Sequence, residues 1–139
     1  MNNHETLHGG CLCGQVRYQV LGTPIDAGYC HCRMCQLANG APAVAWGTFP
    51  YEAFTLVAGK LVTYASSAEA ERRFCSRCGS QIAFCKRPSP RMIDITLASL
   101  DDPTHLLPQY HIWTMSRIGW FETTDTLPRH KDGGPHPSL

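Results

Sequence analysis

The chain has no run of 18 apolar residues, no apolar stretch behind its opening "MNNHETLHGG", and no surplus of charge of either sign. Each absence removes a class of function. Without a long apolar run there is no candidate membrane-spanning helix, and without an apolar segment near the start there is no simple export signal. The expectation is therefore a cytoplasmic protein with no membrane partner. Twelve Lys and Arg against 11 Asp and Glu leave a formal charge of +1. With no basic low-complexity arm either, nucleic acid is not an expected partner. Only short basic groups occur, at Arg72-Arg73 with Arg77 and at Lys86-Arg87 with Arg91, a modest patch for a small anionic ligand. The sequence also lacks internal repeats and any linker that would divide it. At 139 residues it reads as one domain over 1–128, large enough to bury about 68–70% of its unfolded surface without staples. A tail over 129–139, "RHKDGGPHPSL", has nothing to bury and is expected to be loose.

Helical periodicity is scarce as well, and alternation takes its place. "CGQVRYQVLG" sets Val16, Tyr18 and Val20 against Gln15, Arg17 and Gln19, the pattern of a half-buried strand. "APAVAWGTF" reads as another strand, and "AFTLVAGKLVTYAS" as a hairpin turning at Gly59-Lys60. "RMIDITLASL" puts Ile93, Ile95 and Leu97 on one face and Asp94 and Thr96 on the other. A last strand is expected near Tyr110 to Trp113. Only Arg33 to Gly40 looks helical, with Asn39-Gly40 as its stop. The fold class is thus mainly β, antiparallel, with one short helix near 33–39.

What the chain does have is cysteine: eight residues, in three groups and a single. The groups are Cys11-x-Cys13, Cys30-x-Cys32-x-x-Cys35 and Cys75-x-x-Cys78, and the single is Cys85. In a reducing compartment these favour metal ligation over disulfides. Cys75 and Cys78 followed by Gly79 have the form of a zinc knuckle, the glycine taking the positive φ under the metal. In a regular strand, residues i and i+2 lie about 6.6 Å apart, whereas thiolates on one tetrahedral zinc are about 3.7 Å apart. The backbone at Cys11 and Cys13 should therefore turn, and glycines flank it on both sides. Seven grouped cysteines cannot fill two closed four-thiolate sites, but they fit one closed and one open site. An open three-ligand zinc is the arrangement used in catalysis. By packaging, the trio is the open site and the two pairs close the other, although other pairings satisfy the same count.

The segments "GGCLCGQVRY", "CHCRMCQLANGAPAVAW", "ERRFCSRCGSQIAF", "IDITLASLDDP" and "HIWT" occur in an order and spacing that resemble the glutathione-dependent formaldehyde-activating enzyme family, which also includes centromere protein V. The resemblance runs from about Gly9 to Pro128. It implies a small β-rich tent of sheets around zinc. It implies a structural zinc on Cys11, Cys13, Cys75 and Cys78, and a second, catalytic-type zinc on Cys30, Cys32 and Cys35, two ions per chain. The activity it implies is a carbon–sulfur lyase reaction, the reversible joining of formaldehyde and glutathione to S-(hydroxymethyl)glutathione. Two rivals stand beside it: a non-enzymatic zinc module that binds a partner, and a related zinc enzyme for a different thiol or aldehyde.

Charge balance favours delivery of a thiolate over polarisation of the carbonyl. Zinc with three thiolates carries a formal −1, and a substrate thiolate makes −2, which a nearby cation must offset. Arg33, inside the motif, is the expected cation. The plainer reading of the trio is a second structural site completed by His31 or His111, although His31 is expected beside the metal or at the surface rather than on it. Cys85 reads as a small buried hydrophobe. Trp46, Phe49 and Trp113 read as core aromatics, with a pocket wall as the sharper alternative. The Arg72-Arg73 pair reads as a solvated strand edge, with a clamp for a glutathione carboxylate as the sharper alternative. Glutathione recognition would fall to loops 48–54 and 86–91.

Overall fold

The strand that alternation marks most clearly, Arg17–Leu21, buries Tyr18 and Val20 and turns its other residues outward. We call it β2; it lies between β1 (Thr6–Gly10) and β5 (Phe54–Ala58) in a three-stranded antiparallel sheet. The computed structural model describes residues 5–135; the first residues of the expected domain and the last four of the expected tail lie outside that range. The second sheet has seven strands in the order β10-β3-β4-β9-β8-β7-β6. These are β3 (Asp26–Cys30), β4 (Val44–Pro50), β6 (Leu61–Ser67), β7 (Ala70–Cys75), β8 (Gln81–Lys86), β9 (Met92–Thr96) and β10 (His111–Ile112). All of its pairings are antiparallel except β10 with β3. The single α-helix among the described residues, α1, spans Arg33–Asn39. No described helix is long and apolar enough to cross a membrane.

The mainly β architecture matches expectation, but the connection at Gly59-Lys60 does not. β5 and β6 are separate strands in different sheets, β5 bonded to β2 and β6 to β7. The turn redirects the chain from one layer to the next. Gly59 takes φ +84 and lies against the backbone of Gln15 and Val16, where a Cβ would collide. That close approach ties the turn to the small sheet and pulls β5 away from β6.

The larger sheet is covered on both faces. One face carries Phe49, Cys85, Ile93 and Ile95, which pack with Val16, Tyr18 and Val20 of the small sheet into the main core. Cys85 is there as expected, 2% exposed. The other face carries a second core of Val44, Trp46, Tyr110 and Ile112 around Cys30 and Cys35. For this reason Asp94 and Thr96, the polar face of β9, are buried rather than solvated, at 4% and 6% exposure. The residues after β10 help to close this side. His130, Lys131 and Asp132 accept backbone hydrogen bonds from Thr114, Met115 and Trp113, which ties these residues to the segment that follows β10. These carbonyls satisfy backbone donors just beyond β10, where the sheet offers no partner.

Candidate metal centres

The four-thiol cluster is made by two turns. Cys11 to Gly14 form a turn in which Gly14 N–H donates to Cys11 O at 3.1 Å, and Gly14 sits at φ +82. Cys75 closes β7 and its knuckle follows: the N–H groups of Arg77 and Cys78 donate to Cys75 Sγ at 3.3 and 3.4 Å, and Gly79 takes φ +80. The expected turn and positive φ are thus both present. Cys11 and Cys13 Sγ are 3.6 Å apart and Cys13 and Cys75 Sγ 3.8 Å. Zn–S bonds of about 2.3 Å set tetrahedral S···S separations near 3.7 Å, so the donor set fits zinc. Hydrogen bonds from the Ser80 hydroxyl and backbone pull the Cys78 thiol down to about 5.

Cys30, Cys32 and Cys35 form the second cluster, their ligand atoms all within 4.8 Å of one another. Cys30 ends β3, and Cys32 is the N-cap of α1, accepting from Cys35 N–H at 3.3 Å. One turn of helix then brings Cys35 back to within 3.6 Å of Cys30, sulfur to sulfur. Hydrogen bonds from Cys30 and Cys35, together with the Cys35 N–H and the charge on Arg72, hold the Cys32 thiol well below the ordinary thiol range. The same sharing of protons with Cys32 and Cys35, and burial, push the Cys30 thiol up. Three thiols so placed hold one negative charge readily and invite a cation to hold the rest.

That cation on the protein side is Arg72, not Arg33. Arg33 is exposed and donates to Gln36 Oε1 at 3.2 Å. Arg72 is 6% exposed, and both its terminal nitrogens donate to Cys35 Sγ at 3.7 Å. The expectation of a solvated pair therefore fails for Arg72. It also fails for Arg73, whose guanidinium engages Glu71 and the Tyr51 hydroxyl. Strand register explains the placement. Across neighbouring strands Arg72 pairs with Phe84, Phe84 with Asp94, and Asp94 with Thr48, and directly opposed residues share a face. Arg72 stacks on the Phe84 ring at 5.0 Å, and Thr48 Oγ1 donates to Asp94 Oδ1 at 2.6 Å. Asp94, which sequence reasoning assigned to a polar face and nothing more, joins Arg72, Trp46, Phe84, Ile112 and Trp113 around a cavity of about 60 Å³ at the three sulfurs. Trp46 and Trp113 are thus wall residues, while Phe49 belongs to the main core.

His31 and His111 are brought together, but not onto the sulfurs. Both are fully buried, and His31 Nε2 lies 2.8 Å from His111 Nδ1. His111 Nε2 lies 3.0 Å from Asp125 Oδ1. A carboxylate can only accept, so the network assigns His111 a proton on Nε2 and His31 a proton on Nε2. His31 Nδ1, buried without a partner, is then a bare lone pair. Burial first, then the charges on His111, Arg129 and Arg117, lower the His31 pKa to about 4, which keeps the ring neutral. Gln36 Nε2 donates to His31 O at 2.8 Å and to Ser116 O at 3.1 Å. The loop that carries Cys30 and Cys32 is therefore clamped from α1, from β10 and from the C-terminal segment.

A two-sheet β fold with a cluster of four thiols and a cluster of three opening onto a cavity defines a class of small protein with two thiol clusters, each able to hold a metal ion. The glutathione-dependent formaldehyde-activating enzyme family model matches residues 6–116, and the chain belongs to that family. It is similar to a protein of Schizosaccharomyces pombe named an uncharacterized lyase, 30% identical over 83 residues, which are 55% of this chain and 55% of that one. The chain thus matches about half the length of this relative. A protein of Halomonas elongata named "Putative glutathione-dependent formaldehyde-activating enzyme" is 26% identical over 125 residues, 84% of this chain and 80% of the relative. A crystal structure of a Rhodobacter sphaeroides protein superposes with a TM-score of 0.57 at 26% identity, covering 68% of this chain and 88% of that one.

Proposed function

We propose that the chain is a zinc-dependent carbon–sulfur lyase that makes and breaks the bond between a thiol sulfur and an aldehyde carbon. Cys11, Cys13, Cys75 and Cys78 would hold a structural zinc, and Cys30, Cys32 and Cys35 an open one. The observation that carries this reading is the cavity at the trio, where three sulfurs, a buried cation and a buried carboxylate meet inside an aromatic wall. The family's reaction is of this type, with glutathione and formaldehyde joining to S-(hydroxymethyl)glutathione. In either direction it is redox-neutral: the S–C bond forms, the C=O π pair becomes a hydroxyl, and the thiol proton moves to oxygen.

Bound by three thiolates, zinc would hold an incoming thiol as its thiolate at neutral pH. The rest falls to this chain's own residues. Arg72 offsets the charge that a fourth sulfur adds, at the sulfur it already touches. Trp46, Phe84, Ile112 and Trp113 exclude water, which strengthens that electrostatic compensation and protects the adduct. Asp94, oriented by Thr48, stands in the same cavity as the acceptor through which the thiol proton passes to the adduct oxygen. Arg33 has no part in this scheme.

The test is zinc content of reduced protein, with X-ray absorption at the zinc edge before and after addition of a thiol. Two ions per chain are expected, falling to one in Cys13→Ser and in Cys32→Ser, with added thiol raising the average sulfur count only where the trio is intact. One ion in wild type that survives Cys32→Ser would refute the open site.

A further inference from the structure

The cavity at the trio has a volume of about 60 Å³, well below the roughly 300–1,000 Å³ of small-molecule sites. Arg72 lines this cavity and also a second one of about 590 Å³, within the range of small-molecule sites. The larger space is walled by Met34, Leu37 and Ala38 of α1 and by Tyr64 and Phe74 of β6 and β7. Leu37 and Tyr64 are 66% and 64% exposed, large apolar groups left uncovered next to a reactive centre.

The wall is short of charge. Among the residues that line it Arg72 is the only charged one, and its terminal nitrogens are already directed to Cys35. Gln81 Oε1 is taken by Asn39 at 2.7 Å, and the other polar groups of the lining, Gln81 Nε2 and the Tyr64 and Ser66 hydroxyls, are uncharged. Glutathione brings two carboxylates and an ammonium, and each would lose its hydration here without a partner. Loops 48–54 and 86–91, where sequence reasoning put glutathione recognition, line neither cavity. Of their three cations, Lys86, Arg87 and Arg91, Arg87 is paired with Glu71, as is the neighbouring Arg73. The residue that the two cavities share also keeps a donor: Arg72 Nε is buried with no partner.

Resting on the reading of the trio as a thiol acceptor, we infer that the thiol this chain takes has an uncharged, apolar body. That body lies in the cleft between α1 and strands β6 and β7, with its sulfur passing Arg72 into the trio cavity, and glutathione is a poor ligand.

The experiment is anaerobic calorimetric titration of protein carrying two zinc ions per chain, with 2-phenylethanethiol and with glutathione, on wild type and Leu37→Lys. Burial of a phenyl group in the cleft should make 2-phenylethanethiol bind about tenfold or more tightly than glutathione. Leu37→Lys should erase most of that preference with zinc content unchanged; as an exposed helical position it tolerates lysine. Glutathione binding as tightly as the apolar thiol overturns the inference and leaves the thiol-accepting trio standing. Neither thiol binding to the two-zinc protein overturns the proposed function and this inference together. A dimer that Leu37→Lys dissolves, and that shuts out the thiol until it does, means that a second copy fills the cleft and also overturns it.

Discussion

Replacing Arg72 with methionine tests the two proposed metal centres separately, through a single charge. The guanidinium of Arg72 lies 3.7 Å from Cys35 Sγ through two nitrogens and is 6% exposed. At that distance a full charge pair attracts by about 4–5 kcal/mol at an effective dielectric constant near 20. Removing a buried arginine from water offsets part of this, and hydrogen bonds to charged groups contribute about 1.5–3 kcal/mol net. Arg72→Met should therefore weaken zinc at the trio by roughly 10- to 150-fold. The four-thiol centre, which Arg72 does not contact through any hydrogen bond, serves as the internal reference. Competition with a chromogenic chelator resolves the two ions as separate steps, and only the weaker should move. Arg72→Lys keeps the charge but loses the two-nitrogen contact, so it should fall between wild type and Arg72→Met. Far-ultraviolet circular dichroism checks that the strands persist, since methionine retains contact with Phe84. If both ions leave Arg72→Met at wild-type chelator concentrations, compensation of the thiolates by Arg72 is refuted, and with it the charge argument for thiolate delivery.

Two further predictions address the scaffold. Burial pushes the Tyr18 phenol up to about 12, against the opposing pull of its bond to Ser99. A pKa raised in the folded state contributes its stability in full below the unfolded value near 10 and loses it as pH rises through about 12. Tyr18→Phe should flatten this alkaline limb in denaturant titrations between pH 9 and about 12; an unchanged slope refutes the assignment. Gly28, in β3 two residues before Cys30, leaves no room for a Cβ against the Tyr110 ring. Gly28→Ala should cost about 1–3 kcal/mol in thermal melts and weaken zinc at the trio by displacing Cys30, whereas an unchanged melting temperature would mean that Tyr110 moves aside freely.

The parts of the molecule that local chemistry dictates were legible in the sequence. The three cysteine groups, the helix stopping at Gly40, the knuckle glycine and the apolar face of β9 each follow from a few neighbouring residues, and each is where such residues place it. What the sequence hid is register. Arg72 and Asp94 look like ordinary polar positions of half-buried strands, because alternation reports which residues share a face and not what covers that face. Only the pairing of β7, β8, β9 and β4 aligns Arg72, Phe84, Asp94 and Thr48 in one row under the trio. Arg33 was the sequence-based choice because it lies inside the motif, but a helix position following the N-cap points where α1 is exposed. The same blindness to long-range pairing turned two strands joined by Gly59-Lys60 into a hairpin that does not form. His31 and His111, 80 positions apart, share a hydrogen bond that only the parallel β10–β3 pair brings about.

The two thiol clusters differ in how much chain each must wait for. Cys30 and Cys35 are five positions apart, whereas the contact between Cys13 and Cys75 spans 62. As the chain emerges from the ribosome, the trio is a complete chelator within a few residues, with a small loop-closure cost. The four-thiol centre cannot close until both the small sheet and the β7–β8 turn exist, and contacts of such separation form late. Under the proposed zinc assignment, the trio would load at the start of folding, and the four-thiol centre would record its completion.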